Sequence, residues 1–411
     1  MDSGNVAWVL VSAALVLFMT PGLAFFYGGM DRSRNVLNML MMNFYCLLVV
    51  PIVWVVVGFS LAQVPFDNGF IGNFDAAFLK DIAITGEDGG MTLATIAFLG
   101  MFAAITPALI SGAVADRMKF SAWAIFVPVW SLIVYVPVFK WVYGGWLYER
   151  GSIDFAGGTA IHVNAGIAAL AAVMVLGKRK GWPSEGHPPH SMPLVMIGTG
   201  ILLFGWFGFN AASTFASSDI QFATVATNTA IAAAIGATAA MFWVMKRTGK
   251  PDPGMMVNGM LAGLVAITAP CAFVGPWAAA VIGLIAAIVV IEFAWWLDRK
   301  GVDDPVGAVA VHGIGGTLGV LFVGVFANGK YGAAWNLSDS SGVKGILYGD
   351  AGQLGAQALG AVVIWTVIFG IAFAFFKIQN KFTKDGGIRL SEEIEIEGAD
   401  LPEMGVMAYN D

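Results

Sequence analysis

Eleven apolar runs, each about 20 residues long, leave this chain few ways to fold. They lie near 6–28, 38–62, 92–114, 121–142, 156–176, 192–214, 222–245, 254–273, 275–297, 306–327 and 354–376. A helix of that length crosses the hydrocarbon core of a bilayer. Backbone N–H and C=O groups in lipid must pair within the structure, so only helices and closed barrels span it. The runs are too long for barrel strands and lack their alternation. The fold class expected is an all-α integral membrane protein with eleven transmembrane helices. Only 12% of residues are charged, against about 25% in soluble domains. Runs eight and nine are separated merely by a turn around Pro270 and Pro276, so their boundary is the softest.

Charge sets the expected orientation. The connections near 31–34, 116–119, 178–180, 246–250 and 299–300, with the C-terminal tail, hold 16 of the 21 Lys and Arg. The alternate connections hold Lys80, Lys140, Arg150, Lys330 and Lys344. Basic loops stay in the cytosol, which places the N-terminus outside and the C-terminus inside a cell (inner) membrane crossed many times. No basic region precedes the first run, which is too long for a signal-peptide core and reads as a true span. The net charge of −6 comes largely from the tail and gives no ground for a nucleic-acid partner. Two domains are expected: a membrane domain over 1–377 and a cytosolic tail over 378–411. The tail contains SEEIEIEGAD and is too polar for a twelfth span. It reads either as a solvated end or, through its Ile and Leu residues, as a segment docked on the cytosolic face.

Two stretches share one layout, DFAGGTAIH (Asp154 to His162) and DPVGAVAVH (Asp304 to His312). They divide the chain into spans one to five and six to ten. Each half has an odd number of spans, so the second is inverted relative to the first, a recurrent transporter plan with its site at the midplane. Eight helical residues rise about 12 Å, which carries both His residues into the middle of a core about 30 Å thick. Span eleven has no partner and is expected to wrap the outside.

Ionisable groups at membrane depth are costly and mark transport paths or relays. His162 and His312 are therefore the first candidates, and their equivalent positions argue against simple packing residues. Small residues at Gly315 and Gly319, and at Ala165 and Ala169, would let the two helices cross closely. The imidazoles would then meet and share a hydrogen bond. Two His are too few for a metal site, and no Cys, Asp or Glu lies at ligand spacing. Cys46 and Cys271 imply no disulfide framework, and nothing calls for a cofactor. His187 and His190 read as loop residues. Asp154 and Asp304 begin their helices and read as caps; Asp154, on the outer side, would also add negative potential for a cation. Glu292 and Lys140 lie near span ends and can snorkel. Phe102, Tyr143, Phe209, Phe26 and Tyr27 sit near ends or turns of spans. They serve either as interfacial belt and packing or as aromatic faces that attract a cation.

TPGLAFFYGGM (Thr20 to Met30), GAVADR (Gly112 to Arg117), DFAGGTAIHVNAGIAAL (Asp154 to Leu170), LGKRKGW (Leu176 to Trp182), GWFGFN (Gly205 to Asn210) and DDPVGAVAVHG (Asp303 to Gly313) resemble the ammonium transporter family, Amt/Mep/Rh, on its Amt branch. The likeness runs over essentially the whole chain, including GIRLSEEIEIEG. It implies a homotrimer of eleven-helix protomers, each with a narrow apolar pore. His162 and His312 match the family's twin-His pair, and Phe102 and Phe209 the stacked rings closing the outer end. Ser213 matches a hydroxyl of the outer recruitment site. Tyr143 stands where many members carry Trp; its phenol is a weaker cation partner than indole. Phe26 and Tyr27 match residues toward the cytosolic exit. Gly307 takes a place where some bacterial members have Asp. The resemblance also implies a PII signal protein at the tail.

The physics accords with that resemblance. A pore with aromatics outside and neutral imidazoles inside would recruit NH4+ and then penalise its charge, so that the proton leaves and NH3 passes. Methylammonium would serve as an analogue, whereas K+ and Na+ have no proton to shed. Competing readings are an ammonium sensor on the same fold, a gas channel of the Rh branch, and an intramembrane enzyme. A sensor would usually append a signalling domain, and only about 34 residues follow span eleven. An enzyme would need a nucleophile or metal set that the sequence does not offer, so no enzymatic activity is expected.

Overall fold

In the computed structural model, the structure describes residues 3–63, 69–83, 89–184, 188–217, 220–330 and 342–409. His187 lies outside them. Among the described residues, ten helices are long and apolar enough to cross a membrane. They are α1 (Ser3–Met30), α2 (Ser33–Gln63), α3 (Gly89–Val114), α4 (Phe120–Glu149), α5 (Gly158–Leu176), α6 (Met192–Thr214) and α7 (Gln221–Thr248). The shorter α8 (Pro253–Thr268) follows, then α9 (Pro276–Lys300), α10 (Val309–Phe326) and α11 (Ala351–Phe382). A short α12 (Glu392–Glu397) lies in the tail.

The expected span over 254–273 is thus a helix of 16 residues finished by a turn. Pro270 has no N–H to continue the helix and disfavours helical backbone before it. Asn228 of α7 closes the turn by donating from Nδ2 to the carbonyls of Cys271 and Val274, at 2.9 and 2.8 Å.

The two halves are visible in the packing. α1 and α6, which open the halves, lie against each other, and so do α5 and α10, which close them. α11 packs on α5 and α10 rather than on a counterpart of its own. At the α5–α10 crossing a Cβ on Gly166 would lie 2.1 Å from the Gly313 nitrogen, so only glycine fits. The face is not the expected one. Gly319 meets Ala266 of α8, and Gly315 faces Val265 and Val290. The register differs because α5 and α10 each open with a turn of π-helix, Gly158–Val163 and Val309–Ile314. A π turn carries an extra residue and rotates all that follows, which a 3.6-residue period does not anticipate.

The basic loops and the tail gather at one end of the bundle, here termed the basic face. Arg117 and Asp303 pair there at 2.7 Å with side chains 0% and 1% exposed. Arg179 bridges Asp303 and Asp116 at 2.9 and 3.1 Å, and Arg32 also reaches Asp116. Burial pushes the Asp303 carboxyl up, but Arg179 and Arg117 outweigh it and hold the group below the usual carboxylate range. The tail is docked. Arg389 donates to the carbonyls of Leu176 and Lys178 and pairs with Glu395. Asp400 accepts from the Asn38 N–H at 2.9 Å, and the Ala399 N–H donates to Asn35.

Candidate functional site

Each His is carried into the bundle by a capped helix start. Asp154 is buried, and its two oxygens accept from the N–H groups of Gly157, Gly158, Thr159 and Ala160 at 2.7–3.0 Å. Asp304 accepts from Val309 and Ala310 at 2.9 and 3.3 Å. These bonds satisfy N–H groups that a helix start leaves orphaned. The π turns that follow place His162 and His312 side by side at the centre.

The two imidazoles lie nearly parallel, with ring centroids 5.3 Å apart and planes 11° from each other. The expected His–His hydrogen bond is not formed. Stacking sets the ring planes instead: His162 is also stacked on Trp206 at 5.3 Å and on Phe209 at 5.8 Å. Among the described residues, both nitrogens of His162 and Nδ1 of His312 have no hydrogen-bond partner. Nε2 of His312 lies 3.5 Å from the hydroxyl of Tyr27, which donates to the Leu109 carbonyl at 3.0 Å. A buried polar group without a partner costs about 1–3 kcal/mol, and three such nitrogens are concentrated here.

These rings line a narrow lumen with Phe26, Leu23, Val306 and Val311. Its open space, ≈ 10 Å³, is about what one water-sized molecule requires. At one end Phe102 and Phe209 stack at 4.2 Å and 21°. Phe102 is also in the wall of a recess of ≈ 430 Å³ at the end away from the basic face, with Tyr143, Phe139, Tyr148, Phe155 and Phe215. Tyr143 leans on Phe139 with centroids 4.7 Å apart. At the other end Asn258, Val306, Gly307 and Val311 border both the lumen and a vestibule of ≈ 240 Å³ on the basic face. Phe26 and Tyr27 line the lumen itself, on the vestibule side of the Phe pair.

Of the sequence candidates, the structure brings together His162, His312, Phe102, Phe209, Phe26 and Tyr27 along one path, with Tyr143 in the recess at the Phe102 end. Asp154 and Ser213 are not among the residues lining that recess. Asp154 is 1% exposed and its oxygens are taken by backbone N–H groups. The Ser213 hydroxyl donates to the Phe209 carbonyl at 2.9 Å. Sequence reasoning missed Trp206, Phe215 and Asn258. Trp206 precedes Phe209 by one helical turn, so the i,i+3 rule would have put it on the same face. Phe215 has a left-handed φ of 53° just after α6, which residue type does not announce.

The chain is similar to known proteins along nearly its whole length. The sequence profile of the Ammonium Transporter Family matches residues 7–409. The chain is 40% identical to "Ammonium transporter Amt2" of Archaeoglobus fulgidus, covering 98% of this chain and 87% of the relative. It is 38% identical to the "Ammonium transporter" of Bacillus subtilis over the full length of both. Among solved structures it superposes on a "Sensor Amt Protein" with a TM-score of 0.88 at 31% identity, covering 97% of this chain and 98% of that one. Saccharomyces cerevisiae Mep2 gives a TM-score of 0.86 at 30% identity, with 96% of this chain and 90% of the other covered.

Proposed function

This chain belongs to the Ammonium Transporter Family, and from that premise we propose how its pore moves ammonium across the membrane. It is a multi-pass membrane protein that transports ammonium. The outer recess recruits NH4+ against the aromatic faces of Tyr143 and Phe102, which attract a cation. The stacked Phe102 and Phe209 close the way inward and open only by moving their rings. A bare cation in the apolar lumen beyond would cost several kcal/mol or more, so NH4+ gives its proton to water in the recess and only NH3 enters. NH3 then passes along His162 and His312, taking hydrogen bonds from ring nitrogens that the protein leaves free. Tyr27 and Phe26 flank the way out, and NH3 regains a proton in the vestibule past Asn258 and Gly307. K+ and Na+ have no proton to give up and stay outside.

The observation that carries this reading is the parallel His pair with three unpartnered nitrogens in an otherwise apolar lumen. Liposome uptake of ammonium or methylammonium tests it, with His162→Ala and His312→Ala beside the wild type. The likeness to a sensor Amt protein supports an ammonium receptor as the second reading; saturable binding without flux would favour it.

The same reading includes the setting of the pore. The basic face lies in the cytosol, since it collects 16 of the 21 Lys and Arg. The N-terminus is then outside the cell (inner) membrane and the C-terminus inside. Residues 1–377 form the transport domain and 378–411 a regulatory tail. Protomers assemble as a homotrimer, and the tail with its neighbouring loops offers a cytosolic surface to a PII signal protein. Asp154 and Ser213 support recruitment from behind the recess wall, Asp154 through its charge and Ser213 by fixing the Phe209 carbonyl.

A further inference from the structure

Helix α11 has no counterpart in the repeat, yet it carries Gln357, which is fully buried at 0% exposure. The Oε1 of Gln357 accepts from the Ile153 N–H at 2.6 Å. Its Nε2 donates to the Ile153 carbonyl at 2.7 Å and to the Val320 carbonyl at 2.9 Å. One turn earlier, Gln353 donates to the Gly151 carbonyl at 2.8 Å. On the same face, a Cβ at Gly360 would lie 2.2 Å from the Ser152 hydroxyl, so α11 is cut away there to admit the chain. One face of α11 thus grips Gly151–Ile153. That segment is not helical; the N–H groups of Gly151 and Ser152 bond to the carbonyls of Tyr148 and Leu147, while α11 supplies the partners of the Ile153 N–H and C=O and of the Gly151 C=O, groups that a membrane interior tolerates only when protein satisfies them.

The gripped segment has two consequences for the pore. It runs directly into Asp154, the cap of the His162 helix, and Phe155, which forms part of the recess wall. Val320 lies on α10, the His312 helix. A single amide therefore ties the approach to one His helix to the body of the other.

We propose that Gln357 is a positioning residue for ammonium recruitment, which fixes the Phe155 wall and the Asp154 cap relative to the His pair. The inference rests on the pore reading above. A leucine at 357 would fill similar space but leave the N–H and C=O of Ile153 without partners. The segment would then shift to repair them, and the recess wall with it.

The test is initial-rate methylammonium uptake into liposomes by the full chain as wild type, Gln357→Leu, Gln353→Ala and Gln357→Glu, with assembly followed by size-exclusion chromatography. For Gln357→Leu the apparent KM is expected to rise about fivefold, the equivalent of about 1 kcal/mol for one buried hydrogen bond. Gln353→Ala should shift KM in the same direction and by less. A protonated carboxyl both donates and accepts, whereas a carboxylate only accepts. The KM of Gln357→Glu, measured against wild type at each pH, should therefore return toward normal as pH falls. Loss of folded protein lowers the maximal rate and leaves KM alone. Unchanged KM in the variants that assemble would overturn the proposal, and Gln353→Ala with Gln357→Glu carry the test if Gln357→Leu does not assemble. Wild type without saturable uptake would overturn the pore reading instead.

Discussion

His162 and His312 are held by ring stacking, on each other and on their neighbours, and not by a hydrogen bond between them. Trp206 and Phe209 flank His162, and Tyr27 stands at the far nitrogen of His312. This explains how neutral rings keep their nitrogens free at a place where side-chain bonding would normally consume them. Tyr143 belongs to the same scale. A phenol face attracts a cation less than an indole face does. Tyr143→Trp is therefore expected to lower the apparent KM for ammonium about twofold, from a gain of roughly 0.5 kcal/mol. Concentration-dependent uptake would check it, and an unchanged or raised KM would remove Tyr143 from recruitment. At this scale the sequence was informative where a residue is unusual for its surroundings. Two His in apolar runs stand out, but Trp206 does not, because one more aromatic in a membrane helix looks like packing.

The crossing of α5 and α10 is what brings the two His rings to stacking distance. Gly166 against Gly313 sets that distance, and the π turns set the rotation. Gly166→Ala would put a Cβ 2.1 Å from the Gly313 nitrogen. Backbone cannot yield as a flexible side chain does, so the cost should reach about 3 kcal/mol or more. Transport is expected to fall below detection, with a lower unfolding temperature in detergent. A protein that transports normally would show that the helices can separate without harm to the pore. The apolar runs and the Asp–His layout made the elements and their inversion legible. The crossing face was not legible, since Gly315 and Gly319 satisfy the small-xxx-small rule, whereas Gly313 and Gly316, which meet α5, are only three apart, and the π turns choose between the two faces.

Across the whole molecule, the two halves are tied at the basic face by charges buried far from the pore centre. Arg117, Arg179, Asp116 and Asp303 connect the ends of α3, α5 and α9. Arg389 and Glu395 join the tail to the same place. Removing one partner of a buried pair strands the other, so Asp303→Asn should cost about 3 kcal/mol. Asp303 has a folded pKa below its ordinary value. Its contribution is therefore present above about pH 4 and is lost as pH falls through the folded value. Thermal unfolding in detergent from pH 7 downward should show wild type losing stability below that point, while Asp303→Asn changes less. Equal acid sensitivity of the two would place the stability elsewhere. Nothing in the sequence spacing joined Asp303 to Arg117 and Arg179, because their meeting depends on how three separate loops fold over one another. The tail was legible only in part, through the Ile and Leu residues that interrupt its acidic run.

The central claim is that the His pair conducts nitrogen stripped of its proton, and ammonium uptake in the presence of potassium tests it most directly. Liposomes holding wild type, His162→Ala or His312→Ala would be given ammonium and K+ together, and the entry of each followed. Wild type should admit ammonium and exclude K+. Each His variant, still assembled, should lose ammonium uptake by about tenfold or more, matching about 1.4 kcal/mol, or else admit K+. Normal uptake with normal exclusion of K+ in both variants would contradict the claim.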